Sequence, residues 1–167
     1  YNEIADQLAD RRLHFADMEY GIKRFIIGLA KKVLLANNIA AVSDAVFAMP
    51  SGDVQANIAW LGVIAYTLQM YFDFSGYSDM AIGLGRMFGF RLPENFNYPY
   101  VARSITDFWR RWHMSLTRWF QDYVYVPLGG DRHGLVRASA HLVVVLALYG
   151  LWHGASWNFV LWGMLFG

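Results

Sequence analysis

Residues 151–162 read LWHGASWNFVLW, a single histidine set in an otherwise apolar run. The run extends in both directions. From Ala138 to Gly167 there is no Asp, Glu, Lys or Arg, and besides His141 and His153 only Ser139, Ser156 and Asn158 interrupt the carbon-rich side chains. As one helix these residues would reach roughly 45 Å at about 1.5 Å each, whereas a bilayer's hydrocarbon core is about 30 Å thick. The segment is longer than one straight span requires. Gly154, followed by Ala155 and Ser156, is where it is expected to break, since only proline disfavours a helix interior more than glycine. That places His153 at the break, well inside the apolar segment. An ionisable group at membrane depth is costly, usually faces a bundle interior or a water-filled cavity, and marks function. The plainer alternative is a histidine satisfied by a carbonyl between helices; a functional histidine is expected.

Composition agrees with a membrane protein. Of 167 residues 56% are hydrophobic and 17% aromatic, with only 16% charged, where soluble domains run nearer 25% charged. The net charge of +1 and the lack of a basic block argue against nucleic acid as a partner. The absence of cysteine excludes disulfides, thiolate zinc sites and a cysteine nucleophile. The chain starts at Tyr1 and ends at Gly167 inside an apolar run, which reads as an internal piece of a longer membrane protein.

The fold class expected is all-α, a polytopic helical membrane protein with interfacial or re-entrant helices. Residues 1–20 are polar and suit a linker or peripheral helix, and residues 21–167 form a partial membrane domain. In residues 21–46, Lys23, Arg24, Lys31 and Lys32 fall on one half of a helix and Ile22, Phe25, Ile26, Leu29 and Val33 on the other. That is the pattern of a helix in the membrane interface with its basic face towards headgroups. Pro50-Ser51-Gly52-Asp53 is a turn by composition. Residues 56–74 form an apolar stretch about one bilayer long, ended by Asp73. Gly83, Gly85 and Gly89 miss the spacing of a nucleotide loop; Gly85 and Gly89 instead suit close approach of two membrane helices. Asp73 and Asp79 are assigned to helix capping.

The second informative stretch follows a Pro- and Asn-rich loop. Ser104-x-x-Asp107 resembles a capping box and opens an amphipathic helix over residues 104–126. Its polar face carries Ser104, Asp107, Arg111, Ser115, Arg118 and Asp122. The opposite face carries Trp109, His113, Leu116 and Phe120, so His113 sits on the apolar side. Trp112 and Trp119 flank that face as aromatic residues do at headgroup level. Residues 138–167 complete the chain as the second expected span region. Residues 75–137 carry eight arginines and no lysine, while the turn at 48–55 carries no positive charge. The positive-inside tendency puts the arginine-rich segment on the cytoplasmic side, with the last span running outward and His153 past its middle.

No HExxH, CxxC, P-loop or GxSxG occurs. Ser156 stands three residues from His153, but triads are set by geometry and this spacing alone is weak evidence for one. A histidine without a neighbouring nucleophile suits general-base work, because an imidazole with an ordinary pKa near 6.5 can take a proton from a hydroxyl as its oxygen attacks an activated acyl group. Two histidines in aromatic surroundings suit a transfer from which water must be kept.

FWRRWHMSLTRWFQDYVYVPLGG (residues 108–130) and LWHGASWNFVLWG (residues 151–163) resemble the two signature stretches of the membrane-bound O-acyltransferase family. GIKRFIIGLAKKVLLANNIA (residues 21–40) and YFDFSGYSDMAIGLGRMFGF (residues 71–90) resemble its bacterial branch that O-acetylates exported polysaccharides such as alginate; the teichoic acid D-alanylation relatives are a more distant match. The resemblance implies a multi-pass enzyme of the bacterial inner membrane that passes an acyl group, acetyl in this branch, towards polysaccharide hydroxyls. His153 matches the family's near-invariant histidine, and His113 its second conserved polar position, so both are the implied catalytic residues. No bound cofactor or metal is implied. An acyl thioester, acetyl-CoA or an acyl carrier, is the donor substrate, and the lipid bilayer and periplasmic or extracellular acetylation proteins are the partners.

Two other classes stay in view. A transporter would also place ionisable residues at a broken helix in mid-membrane. A non-catalytic scaffold would keep the Trp- and Arg-rich helix but tolerate loss of His153. Arg110, Arg111 and Arg118 are expected either to hold the donor side or to anchor their helix to anionic headgroups.

Overall fold

The computed structural model describes residues 4–9, 13–132 and 134–165, and among them every regular element is helical. The expected all-α class holds. Residues 1–3 and 10–12 of the polar N-terminal stretch, and residues 166–167 of the last apolar run, lie outside the described residues. The chain divides into two units, Tyr1–Phe96 and Asn97–Gly167.

The first unit is built on two long helices. After α1 (Ala5–Ala9), α2 covers Phe15–Phe47 and contains a π-helical stretch at Lys31–Ala36. The turn at 48–55 reverses the chain into α3, Ala56–Met87. Glycine and charge alternate where α2 meets α3. Arg86 Nη1 lies 2.7 Å from Asp17 Oδ1. Next, a Cβ on Gly21 would come within 2.6 Å of the Gly83 carbonyl oxygen. Then Arg24 Nη2 meets Asp79 Oδ1 at 2.6 Å. One turn further, a Cβ on Gly28 would come within 2.5 Å of the Gly76 oxygen. Finally Lys31 Nζ reaches Asp79 Oδ2 at 2.6 Å, and Lys32 pairs with Asp73. Residues 17, 21, 24, 28 and 31 follow the 4-3-4-3 spacing of one helix face, so one seam is both narrow and charged.

Three expectations change here. Lys31, Lys32 and Arg24 do not form a basic face towards headgroups; carboxylates on the neighbouring helix draw them inward. Asp73 and Asp79 are not caps, because α3 runs through both without a break and each neutralises a cation of α2. Small residues do let two helices approach, but they are Gly21, Gly28, Gly76 and Gly83. Gly85 faces the Leu92 side chain, and Gly89 ends the helix with φ 81°.

By length and apolar character, two helices among the described residues are able to cross a membrane: Phe15–Phe47 and Leu135–His153. The stretch 56–74 is not one of them, since Asn57, Gln69 and Asp73 dilute its apolar residues. The stretch read as interfacial is one, because Lys31 and Lys32 are the only charges in its most apolar part.

The second unit begins with Tyr98 in the left-handed region and a 3₁₀ turn at Pro99–Val101. Ser104 Oγ accepts from the Asp107 amide at 3.1 Å, the cap expected for α4, Ile105–Trp109. The chain then leaves the helix at Arg110–His113, and α5 starts afresh at Met114–Phe120, passing into a π turn at Gln121–Tyr125. A single amphipathic helix over 104–126 is therefore not what forms. Two tertiary bonds hold the interruption: the Asn97 amide donates to the Arg111 carbonyl at 2.9 Å, and Arg111 Nη1 donates back to the Asn97 oxygen at 3.3 Å. The unit ends in the hairpin of α6, Leu135–His153, and α7, Trp157–Leu165.

Candidate active site

The apolar run breaks where glycine was expected to break it. The last residue of α6 is His153, and Gly154 is extended (φ 171°, ψ 143°). Any residue adopts those angles, so the need for glycine is one of space. A Cβ on Gly154 would lie 2.4 Å from the Phe159 ring.

At this break the His153 Nδ1 is 2.9 Å from the Tyr149 carbonyl oxygen, one turn back. A carbonyl only accepts, so Nδ1 carries a proton here and Nε2 is the ring nitrogen left uncommitted. The bond is of the carbonyl type foreseen by the plainer sequence reading, but it comes from His153's own helix and uses one nitrogen. Three rings surround the imidazole: Tyr149 at 5.1 Å, Trp152 at 5.1 Å and Trp162 at 5.0 Å between centroids.

His113 reaches the same aromatic cluster from the interrupted segment. It caps α5 in the left-handed conformation, φ 44° and ψ 51°. For a residue with a Cβ that conformation costs on the order of 1–3 kcal/mol and persists only where the surroundings enforce it. Its ring is buried, 6.0 Å from Trp152. His113 lies outside both helices able to span a membrane. Burial pushes its pKa down to about 4, and the nearby His153 adds to the effect. His113 is therefore neutral at pH 7, a hydrogen-bonding group rather than a cation.

A cavity of about 390 Å³ lies beside this cluster, with Trp109, Arg110, Thr117, Gln121, Tyr149 and Trp162 among its walls. Neither histidine lines it. Tyr149 and Trp162, which hold the His153 ring, separate His153 from it. Of the three arginines singled out in the sequence, Arg110 faces the cavity. Arg111 is a brace, its Nε 2.8 Å from Asp107 Oδ1. Among the described residues no three His, Asp or Glu side chains gather as a metal site would need.

Sequence reasoning missed Tyr149, Trp152 and Trp162 as the residues that hold the imidazole. The four-residue step from Tyr149 to His153 was the available signal, since such pairs meet on one helix face. Trp162 had none, because its contact depends on how α7 folds back.

The family model of the membrane-bound O-acyltransferases matches residues 3–167. The chain belongs to that family. This family member is 48% identical, over its whole length, to the probable alginate O-acetylase AlgI of Azotobacter vinelandii, of which it covers 33%. It is 44% identical over its whole length to the peptidoglycan O-acetyltransferase of Helicobacter pylori, covering 32% of that protein. Across 95% of the chain it is 30% identical to the teichoic acid D-alanyltransferase of Bacillus subtilis, covering 42% of it. The chain thus spans about a third of the length of the alginate and peptidoglycan relatives it matches.

Proposed function

We propose that this chain is part of a polytopic enzyme of the bacterial inner membrane that transfers an acyl group, acetyl by analogy with the relatives, from a thioester to hydroxyls of an exported polysaccharide. The carrying observation is the His153 imidazole, with Nδ1 committed to the Tyr149 carbonyl and Nε2 left as a base. In the reaction Nε2 takes the proton of the acceptor hydroxyl as its oxygen bonds to the thioester carbonyl carbon. The carbon–sulfur bond then breaks, and the departing thiolate receives the proton back from the imidazolium. No covalent enzyme intermediate is needed. His153 is itself exposed in this chain, which leaves Nε2 open to an incoming hydroxyl.

In the same reading neutral His113 orients the donor side of the reaction through hydrogen bonds, and Arg110 offers a positive charge to the donor from the cavity wall. The partners are the bilayer and exported proteins that carry acetyl groups onward to the polymer. The test is the acyl content of exported polysaccharide from cells expressing the full-length protein, compared with cells carrying His153→Gln. Loss of acylation at unchanged protein level supports the reading. Normal acylation overturns it.

A further inference from the structure

We propose that Trp162 is a positioning residue for His153, set in place by the backbone contact of Gly150 with Gly163. The role assigned to Trp162 rests on the reading of His153 as the base. The hairpin of α6 and α7 closes at two glycines. A Cβ on Gly150 would lie 2.1 Å from the Phe159 carbonyl oxygen, and a Cβ on Gly163 would lie 2.3 Å from the Leu146 oxygen. Both clashes are with backbone, so no side-chain rotation relieves them. The helices can come this close only while both positions lack a side chain. Trp162 precedes Gly163, and the same approach brings its ring to 5.0 Å from the imidazole at 68°, an edge-to-face contact.

The hydrogen bond to Tyr149 fixes one end of the imidazole but leaves the ring free to swing about that bond. Tyr149 and Trp152 belong to the same helix as His153 and move with it. Trp162 is the ring that comes from the other arm of the hairpin, so it is the one that stops the swing and fixes the direction of Nε2. Tyr149 is itself held from outside its helix, by Trp109 at 5.4 Å and Phe120 at 5.5 Å. Base direction matters because a displacement of about 1 Å in a reacting group costs up to roughly 10²-fold in rate.

The experiment uses the full-length protein in lipid nanodiscs with ¹⁵N-labelled histidine, the His153 signals being assigned by their loss in His153→Gln. In the wild type the protonated Nδ1 and bare Nε2 of His153 should give two well-separated resonances. Trp162→Ala should shift and broaden both as the ring samples several orientations, and lower polysaccharide acylation by roughly 10- to 100-fold. Trp162→Phe, which keeps a ring edge at that place, should restore both. Gly163→Ala should act as Trp162→Ala does. If Gly163→Ala fails to accumulate, the two Trp162 variants still decide. Trp162→Ala with the wild-type pair of resonances overturns the proposal. If the resonances behave as described but His153→Gln acylates normally, the acyl-transfer reading falls while the positioning contact stands.

Discussion

The seam between α2 and α3 and the helix break at His153 handle titratable groups in opposite ways. Where α2 meets α3, each charge finds a countercharge: Asp17 with Arg86, Arg24 and Lys31 with Asp79, Lys32 with Asp73, and Arg24 again with Glu94 at 2.5 Å. In the second unit the histidine at the helix break has one nitrogen on a main-chain carbonyl and rings on several sides, with no countercharge at hand among the described residues. Neutralised charges hold helices together, because removing either member leaves the other stranded. An imidazole with one nitrogen uncommitted contributes little to packing and, on the proposed reading, is available for proton transfer. The seam uses its ionisable groups as structure, and the proposal gives the histidine at the break to chemistry.

The largest effect expected follows from removing the base. His153→Gln keeps size and hydrogen bonding but not basicity, and should lower polysaccharide acylation by about 10² to 10⁴ while the protein remains in the membrane. Disappearance of this variant from membranes would erase the contrast, making His153 a structural group as well.

The mirror experiment is Asp79→Asn. It leaves Arg24 and Lys31 facing a neutral amide in a part-buried seam, a loss on the order of 3 kcal/mol. The amount of folded protein should fall, while acylation per remaining molecule stays near wild type. A normal level of protein with low specific activity would instead put Asp79 in the chemistry. Gly28→Val tests the same seam sterically, since its Cβ would press on the Gly76 oxygen. A cost of about 1–3 kcal/mol, read as a lower melting temperature, is expected. An unchanged melt would mean the helices do not approach as described.

A smaller effect concerns pH. His113 takes up a proton near pH 4 when folded and near pH 6.5 when unfolded. Between those values the unfolded chain binds more protons, so stability is full above about pH 6.5 and declines as pH falls towards 4. His113→Asn should flatten that decline, checked by melting the full-length protein at pH 7 and pH 5. An equal loss in both would exclude His113 as its source. Least of all is expected from Arg111→Gln. The Arg111 hydrogen bond holds the half-buried Asp107 below the usual carboxylate range, but a pair this open to water contributes little, and the Asn97 amide keeps its bond to the residue 111 carbonyl. Protein level and donor affinity should be unchanged, and a raised donor KM would return Arg111 to the substrate.

What the sequence disclosed, and what it hid, divides along the same line. The break at Gly154 was legible because it depends on local facts: an uncharged run too long for one span, and a small-residue cluster within it. The seam was not. Whether Lys31 faces headgroups or Asp79 depends on which helices pair, and periodicity within α2 reads the same in either case. The interruption at Arg110–His113 was hidden for a related reason. Its cause is the pairing of Asn97 with Arg111, and a left-handed histidine carries no signal comparable to glycine's. Helical periodicity put His113 on an apolar face; the structure buries it by breaking that helix.

The seam between α2 and α3 also sets an order of events during synthesis. Lys31 and its partner Asp79 are 48 residues apart in the chain. At about 5–20 residues per second, Lys31 emerges roughly 2–10 s before the carboxylate that neutralises it. During that interval α2 is a helix with an apolar side and an unmatched cationic side, the form that rests on an anionic membrane surface. The seam closes once Asp73 and Asp79 arrive. A ribosome stalled before then would leave α2 at the lipid headgroups.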